Sequence, residues 1–265
     1  MNPGDLLKMN YPPTILIYGM YGTGKTALVS QLSGAFMFDF NRGMRTAATL
    51  KDKFFDARQK ITFEIYKDEV PTKPRMYMEA KSKLVSIVNE QAAGTWKHDA
   101  VIIDDLTSLC QAAQLYVQYT RHGDALATME MAEQDWLALE YEVTRFLILF
   151  QSIGVLRVIT AHTMTIDKPV KGKILDREVV SIFPYSVTKN HGLIKLPANV
   201  DEIWYADYRQ AGGGKINYRV TGKPTDVIRA RTRSSFDTVV HNDIGMVGLL
   251  KMIGFDYPPQ PKTKG

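Results

Sequence analysis

Cysteine is almost absent from this sequence of 265 residues, in which Cys110 is the single example. One thiol excludes an internal disulfide and any metal site built from several cysteines, and it is typical of a protein in a reducing compartment. Because Cys110 lies in an apolar stretch after a predicted strand, we expect a buried structural residue rather than a nucleophile.

Long apolar runs are also missing. No run approaches the roughly 18 residues of a membrane-spanning helix, and residues 1–10 lack the charged-then-apolar pattern of a secretory signal peptide. We therefore expect a cytoplasmic protein without a membrane partner. The charge balance is mildly basic, with 33 Lys and Arg against 28 Asp and Glu and a net charge of +5. This excess permits a polyanionic partner without requiring one.

The apolar pattern alternates between strands and helices, which predicts an α/β fold with a mostly parallel sheet and helices on both faces. The length predicts one domain, 1–253, followed by a flexible tail rich in Pro and Lys, 254–265. From residue 200 onward, short strands and turns predict a C-terminal antiparallel meander that includes a strand over 226–233. The strands predicted before it are 14–18, 35–40, 61–66, 100–103 and 155–160.

Residues 19–26 read GMYGTGKT, a complete GxxxxGK[ST] motif directly after the first predicted strand. The glycines allow backbone N–H groups to point at phosphate oxygens, and the helix expected from Lys25 adds its positive N-terminal end. Lys25 is expected to contact the β and γ phosphates of ATP, and Thr26 to bind Mg²⁺. The predicted nucleotide-binding residues are Gly19, Met20, Tyr21, Gly22, Thr23, Gly24, Lys25, Thr26 and Ala27.

The fourth predicted strand ends in two acids, in the sequence VIIDD at 101–105. A carboxylate at the end of a strand beside the phosphate loop can hold Mg²⁺ opposite Thr26, and we assign this role to Asp104. Asp105 has three interpretations: a carboxylate behind the metal site, a general base, or the N-cap of a helix that begins near Thr107.

The segments GMYGTGKT, FDFNRG, VIIDDLTSL, VITAH and IRARTR together resemble the RecA-like P-loop ATPase core. The resemblance covers roughly residues 11–240 and is strongest to small single-domain phage members linked to single-strand annealing and recombination. It implies ATP and Mg²⁺ as cofactors and single-stranded DNA as a partner. It also implies a homo-oligomer, ring or filament, a single-strand-binding protein as a further partner, and the host cytoplasm if the chain is phage-encoded.

The same resemblance implies that His162, at the end of the strand after VIIDD, senses the γ-phosphate. The alternative for His162 is a purely structural role. One position departs from the family pattern, because the acid that usually activates the attacking water is replaced by Asn41, two residues after Asp39. An amide orients water but cannot take its proton, so we expect slow hydrolysis or hydrolysis that relies on Asp39 or Asp105.

Two segments are candidates for DNA-binding loops. Residues 121–131 interrupt the helical region where the family places its first DNA loop, and residues 164–196 follow His162 and carry a net charge of +3. Basic and aromatic side chains together suit the phosphates and exposed bases of single strands. The alternative is a solvated loop anchored to the core by its aromatic residues. The predicted DNA-binding residues are Lys168, Lys171, Lys173, Arg177, Phe183, Tyr185 and Lys189.

Arg229, Arg231 and Arg233 alternate along the last predicted strand, which would place them on one face. In the RecA-like family, cations at the end of this strand act on the nucleotide of the neighbouring subunit, and Arg231 and Arg233 match that place. The alternative is a solvated edge strand whose charge discourages aggregation.

The sequence therefore predicts a Mg-ATP-dependent single-stranded DNA-binding protein of DNA recombination or annealing, which assembles through its nucleotide site. A DNA helicase or translocase, an ATP-gated DNA-binding protein with negligible turnover, and a P-loop small-molecule kinase are alternatives. The predicted catalytic residues are Lys25, Asn41, Asp104, Asp105, His162, Arg231 and Arg233.

Overall fold

The computed structural model describes residues 12–69, 72–123, 131–169, 177–184, 200–232 and 236–258, with only the backbone of 166–169 and 177–184. Strands and helices alternate through most of this part, as predicted. The strands are β1 (Thr14–Gly19), β2 (Ala35–Asp39), β3 (Thr62–Ile65), β4 (Ala100–Asp104), β5 (Leu156–Ala161), β6 (Thr163–Pro169), β7 (Arg177–Pro184), β8 (Glu202–Gln210), β9 (Ile216–Thr221) and β10 (Thr238–Val240).

The longest helices bury one side at helical spacing. In the helix over Met76–Ala92, the buried residues are Tyr77, Ala80, Leu84 and Ile87, three or four positions apart. The helices are α1 (Lys25–Val29), α2 (Gly43–Thr49), α3 (Phe55–Gln59), α4 (Met76–Ala92), α5 (Leu106–His122), α6 (Glu133–Gln151) and α7 (Gly245–Met252).

Eight strands form one sheet in the order β10-β9-β8-β1-β5-β4-β2-β3. The six strands from β8 to β3 pair in parallel, whereas β9 pairs antiparallel with both β8 and β10. The predicted fold class, a mostly parallel α/β sheet with antiparallel strands at its C-terminal side, is confirmed. Parallel pairing places the carboxyl ends of β1, β5, β4 and β2 along one edge, where the predicted site residues follow.

Helices cover both faces of this sheet. As a result, β1, β2, β4 and β5 are buried along their whole length. On one face, side chains of α4, α5 and α6 pack in a cluster that includes Leu84, Leu109 and Phe146. On the other face, α1, α2 and α7 contribute Leu28, Met44 and Leu249 to a second cluster. Cys110 is fully buried, as expected.

Three parts of the chain differ from the sequence-based expectation. The third meander strand is β10, whereas the described part of 226–233 forms isolated bridges, one of them between Arg231 and Ile203. The predicted strand fails because Thr225 Oγ1 accepts the backbone N–H groups of Val227 and Ile228 and holds them in a turn. Part of the predicted loop 164–196 is an antiparallel hairpin of β6 and β7.

The third difference lies at the C-terminal end. Phe255 and Tyr257 are buried in the core, and the Tyr257 hydroxyl donates a hydrogen bond of 2.7 Å to the Ser33 carbonyl. The packed chain therefore extends past the boundary that we predicted at residue 253. Among the described residues, no helix combines the length and apolarity that crossing a membrane requires.

Candidate nucleotide-binding site

A cavity of about 780 Å³ opens at the carboxyl ends of β1, β4 and β5. The loop after β1 forms one wall, Asp104 and Asp105 lie at the end of β4, and His162 follows β5. The parallel sheet thus brings three segments that are distant in sequence to one concave surface, the usual place for ligands in open α/β sheets.

The loop after β1 has the backbone that its glycines predict. Gly22 and Gly24 have φ angles of 76° and 78°, a region that other residues rarely adopt, and Gly24 directly precedes α1. The ammonium group of Lys25 donates hydrogen bonds of 2.8 and 2.9 Å to the carbonyls of Gly19 and Met20. Burial lowers the pKa of Lys25 to about 8, although Asp104 and Asp105 oppose this effect. Lys25 therefore remains mostly protonated at neutral pH.

Thr26 and Asp104 meet on the floor of the cavity. The Thr26 hydroxyl donates a hydrogen bond of 2.8 Å to Asp104 Oδ2, and the Thr160 hydroxyl donates to Asp104 Oδ1. Burial raises the pKa of Asp104 to about 6, partly offset by these two hydrogen bonds and reinforced by the charge of Asp105. The hydroxyl groups of Thr26 and Thr160 therefore hold the carboxylate in place.

The same residues fit a magnesium ion, since hydroxyl and carboxylate oxygens are the ligands that Mg²⁺ prefers. The adjacent backbone keeps the space free: a Cβ atom at Gly43 would lie 2.7 Å from Thr26 Cγ2 and 2.8 Å from Asp104 Oδ2. Gly43 was not predicted from the sequence. Within the described part of the chain, no cluster of three or more His, Cys, Asp and Glu residues could hold a metal.

Asp105 accepts hydrogen bonds from several donors. Its Oδ1 accepts the backbone N–H of Ser108 at 2.7 Å, which caps α5, and its Oδ2 accepts the side-chain amide of Asn41 and lies 3.3 Å from His162 Nε2. Burial alone would raise the pKa of Asp105, but these three groups together hold it below its ordinary value. The N-cap interpretation is confirmed, and the lowered pKa makes Asp105 a weak base.

Asp39, the other acid considered as a base, is fully buried and is not among the residues that line the cavity. Its carboxylate accepts the backbone N–H groups of Gly43 and Met44 at 2.9 and 3.1 Å, at the start of α2. The geometry therefore gives Asp39 a structural role and removes it from the candidates for a general base.

His162 lies where the sequence placed it, at the end of β5 and on the cavity wall. Its ring lies against the ring of Tyr21 in the phosphate loop, with a centroid distance of 3.9 Å and an angle of 31° between the ring planes, and its backbone N–H donates to Thr107 Oγ1. Tyr21 is 78% exposed, and the Thr163 hydroxyl contacts Met20 Sδ at 2.9 Å. The phosphate loop therefore touches the first residues of the β6–β7 hairpin.

The cavity also contains residues that sequence reasoning missed. Tyr218 on β9, His241 and Asn242 after β10, and Gln31 and Phe54 lie on its walls. These residues have no shared motif and come from separate segments, so only the folded chain brings them together.

The predicted arginines lie away from this cavity. Arg229 and Arg231 are exposed and do not line it, and the Arg231 guanidinium donates to the Val200 carbonyl of its own chain. Over the described residues 226–232 the predicted strand is reduced to isolated bridges, whereas Arg229 and Arg231 are both exposed on either side of the buried Ala230, as residues on one face would be. Arg233 lies outside the described residues.

Only some of the predicted DNA-binding residues lie within the part of the chain that the structure describes. Lys168 lies on β6 opposite Glu178, and Phe183 lies on β7 opposite Met164. Arg177 begins β7, opposite Pro169. The remaining predicted DNA-binding residues, which lie outside the described residues, are Lys171, Lys173, Tyr185 and Lys189.

One comparison with known proteins identifies the family of this chain. The sequence profile of a family described as an AAA domain matches residues 11–234. A solved structure whose title names a prototypical ATPase from the type III secretion system of pathogenic bacteria aligns with a TM-score of 0.45 and 10% identity. The alignment covers 74% of this chain and 52% of that chain, so this chain spans about half of that protein's length. No curated protein matches the chain.

Proposed function

Because this chain belongs to the AAA domain family of P-loop ATPases, we propose that it binds Mg-ATP and, in that state, binds single-stranded DNA during recombination or annealing. Within the P-loop ATPases, we assign it to the phage-type RecA-like branch that its motifs resemble. One observation carries the nucleotide part of the proposal: Lys25, Thr26 and Asp104 line a single cavity at the carboxyl edge of the sheet.

Each of these residues has a separate task in nucleotide binding. When ATP binds, the Lys25 ammonium group leaves the loop carbonyls and donates hydrogen bonds to phosphate oxygens instead. The backbone N–H groups between Gly22 and Thr26 supply further donors. Thr26 and Asp104 would hold Mg²⁺, which when bound neutralises phosphate charge. The hydrogen bond from Thr160 orients Asp104 for this task.

Hydrolysis is proposed to be slow. Asn41 occupies the place of the expected acid and donates to Asp105, so it can orient a water molecule but cannot deprotonate it. His162 contacts Asp105 and the phosphate loop, and we assign it the role of sensing the γ-phosphate. The Asn41–Asp105 pair also favours a second candidate function, an ATP-gated DNA-binding protein with negligible turnover.

The DNA-binding part of the proposal concerns the hairpin that follows His162. Strand β6 begins at Thr163, which contacts Met20 of the phosphate loop. A change in the loop on nucleotide binding would therefore be transmitted to the base of the hairpin, whose segment carries the basic and aromatic residues suited to single strands. We further propose that the chain assembles as a ring or filament, with Arg231 and Arg233 acting on a neighbour's nucleotide.

Titration of a fluorescent single-stranded oligonucleotide tests the whole proposal. Wild-type protein should bind it more tightly with Mg-ATP than with Mg-ADP or without nucleotide, and Lys25→Ala should bind it equally weakly in all three conditions. Equal affinity of the wild type in all three conditions would refute nucleotide control. The absence of binding in every condition would refute the DNA-binding role itself.

A further inference from the structure

An exposed apolar stripe runs along the outer side of α6. Leu137, Tyr141 and Ile148 are 63%, 59% and 56% exposed, and the half-buried Thr144 lies between the last two. We call these four residues the α6 stripe. We propose that the α6 stripe is a self-association surface, which pairs with the α6 stripe of a second copy of this chain so that the two helices run parallel.

The spacing of the α6 stripe is that of a seam between two helices. Its four residues are separated by steps of 4, 3 and 4 positions. Alternating steps of three and four keep side chains on one side of a helix and let two helices interlock. The residues that α6 buries at helical spacing against its own domain are Leu139, Val143, Phe146 and Phe150. Helix α6 therefore has two apolar sides, of which one packs in the core.

The exposure of the α6 stripe is unusual within this protein. No other described helix carries three exposed large apolar side chains on one side. Single exposed apolar residues are normal on a protein surface, but a contiguous patch marks a site of interaction. None of the four residues lines the nucleotide cavity. The inference therefore goes beyond the proposed function and does not depend on it.

The charges beside the α6 stripe favour a second copy as the partner. Glu140 directly precedes Tyr141 and lies on one flank of the stripe, whereas Arg145 directly follows Thr144 and lies on the other flank. In a parallel helix pair, flanking residues that are five positions apart meet across the seam. Glu140 of each copy would therefore meet Arg145 of the other. A stripe with an acid on one flank and a base on the other is complementary to itself.

The same charges select the parallel arrangement. An antiparallel pair brings like flanks together, so that the arginine flank of one copy would face the arginine flank of the other. In the single chain, the Arg145 guanidinium lies 5.4 Å from the centroid of the Tyr141 ring. It forms no salt bridge with an acid among the residues that the structure describes. Arg145 is exposed and can therefore turn toward Glu140 of the second copy.

The size of the contact predicts a weak dimer. Helix α6 has 19 residues and is about 28 Å long. Two such helices that meet along one stripe bury less surface than the roughly 1,600 Å² of a standard stable interface. We therefore expect a dissociation constant on the order of micromolar, which makes the dimer dependent on protein concentration.

Sedimentation velocity of the full chain without nucleotide, from about 1 to 200 μM, measures this equilibrium. The wild type should change reversibly from monomer to dimer. Tyr141→Glu places a carboxylate in the apolar seam and should weaken the dimer about tenfold or more, with an unchanged circular dichroism spectrum. Tyr208→Glu is the matched control, because Tyr208 is an exposed tyrosine on β8. It should dimerise like the wild type.

Charge exchange tests the pairing between Glu140 and Arg145. Glu140→Arg and Arg145→Glu should each remain monomeric where the wild type dimerises, since each brings two like charges together. An equal mixture of the two variants should dimerise, because every flanking pair then joins an acid to a base. The double variant should dimerise on its own, since it exchanges the charges and keeps both pairs complementary.

A cysteine at position 137 tests the orientation. In a parallel pair the two Leu137 side chains face each other across the two-fold axis, so Leu137→Cys should form a disulfide-linked dimer under mild oxidation. The natural thiol, Cys110, is fully buried and does not compete. Lys60→Cys, at an exposed position after α3, should stay mostly monomeric under the same conditions.

The outcomes separate this inference from the proposed function. A wild type that stays monomeric at every concentration contradicts the inference, as does a Tyr141→Glu variant that dimerises like the wild type. A double charge variant that stays monomeric overturns the parallel pairing. A dimer that requires Mg-ATP and is lost in Lys25→Ala belongs to the nucleotide site and also overturns the inference. A wild type that dimerises but does not bind Mg-ATP contradicts the proposed function alone.

Discussion

The Thr26 hydroxyl donates a hydrogen bond of 2.8 Å to Asp104 Oδ2, although the two residues are 78 positions apart in the chain. Thr26 belongs to α1 after β1, Asp104 ends β4, and β5 lies between those two strands in the sheet. The contact places an acid at the buried floor of the cavity, where it suits Mg²⁺ but destabilises the nucleotide-free protein.

Replacing Asp104 by Asn should therefore stabilise the protein without nucleotide. Burial raises the pKa of Asp104 to about 6, above the unfolded value of about 3.9. The folded state then binds more protons between these values, so the contribution of Asp104 to stability is full below about pH 4 and is lost as the pH rises through about 6. At pH 7.5, Asp104→Asn should increase the free energy of unfolding by on the order of 2 kcal/mol.

Urea denaturation of the wild type and Asp104→Asn at pH 4.5 and pH 7.5 measures this difference. The gain should shrink at the lower pH, and the variant should lose the dependence of ATP affinity on Mg²⁺. An equal or lower stability of Asp104→Asn at pH 7.5 would show that the carboxylate is not strained by its burial.

Asn41→Glu should raise the rate of ATP hydrolysis about tenfold or more. Residue 41 lines the cavity, and a carboxylate there can accept a proton from the attacking water. The wild type should turn over slowly, and Asp105→Asn should reduce that rate only if Asp105 acts as the remaining base. Steady-state phosphate release measures both variants. Rapid wild-type hydrolysis that Asp105→Asn leaves unchanged would contradict the assigned roles of Asn41 and Asp105.

Joint substitution of Lys171, Lys173 and Arg177 by Ala should weaken single-stranded DNA binding and flatten its salt dependence. Each lost phosphate contact reduces the slope of log K against log salt by roughly 0.7. Phe183→Ala should weaken binding with little change in slope, because stacking releases no counterions.

The matched control for this experiment replaces Lys60, Lys97 and Lys251, three exposed lysines outside the hairpin. It removes the same total charge from the protein. If the control lowers the slope as much as the hairpin variant does, the binding is a diffuse effect of net charge and the hairpin is not the DNA site.

Arg231→Ala should preserve ATP binding and suppress turnover if Arg231 acts on a neighbour's nucleotide. The Lys25→Ala variant should not bind ATP but retains its arginines. A mixture of Arg231→Ala and Lys25→Ala should therefore hydrolyse ATP faster than the sum of the rates of the two variants measured separately. Arg209→Ala, an exposed arginine on β8, serves as the control. A strictly additive rate in a mixture that co-assembles would place the action of Arg231 within its own chain.

The phosphate loop and Asp104 could be predicted because local sequence determines them. A strand, three glycines and a Lys-Thr pair specify one backbone path, and an apolar strand that ends in an acid specifies the side chain at the sheet edge. His162 could be located for the same reason, since it directly follows a buried strand. In these cases the chemistry depends on residues that are neighbours in the chain.

Two features could not be predicted: the presence of Tyr218 and Gln31 in the cavity, which depends on contacts between distant segments, and the conformation of the arginine segment 226–232. Tyr218 and Gln31 become neighbours of the cavity only after β9 joins the sheet and α7 packs against α1. The pattern at 226–233 suggested a strand, but a hydroxyl at Thr225 competes for the backbone N–H groups. The alternation of residue types along 226–233 does not reveal that a nearby hydroxyl accepts these backbone hydrogen bonds.

The central claim, that the loop around Lys25 binds Mg-ATP, is tested most directly by calorimetric titration of Mg-ATP into the wild type and Lys25→Ala. We expect the wild type to bind one equivalent, and Lys25→Ala to bind about a hundredfold more weakly or not at all, because a charged donor to the phosphates is lost. Lys53→Ala, at a half-exposed lysine, should bind like the wild type. A folded Lys25→Ala protein with unchanged affinity for Mg-ATP would contradict the account.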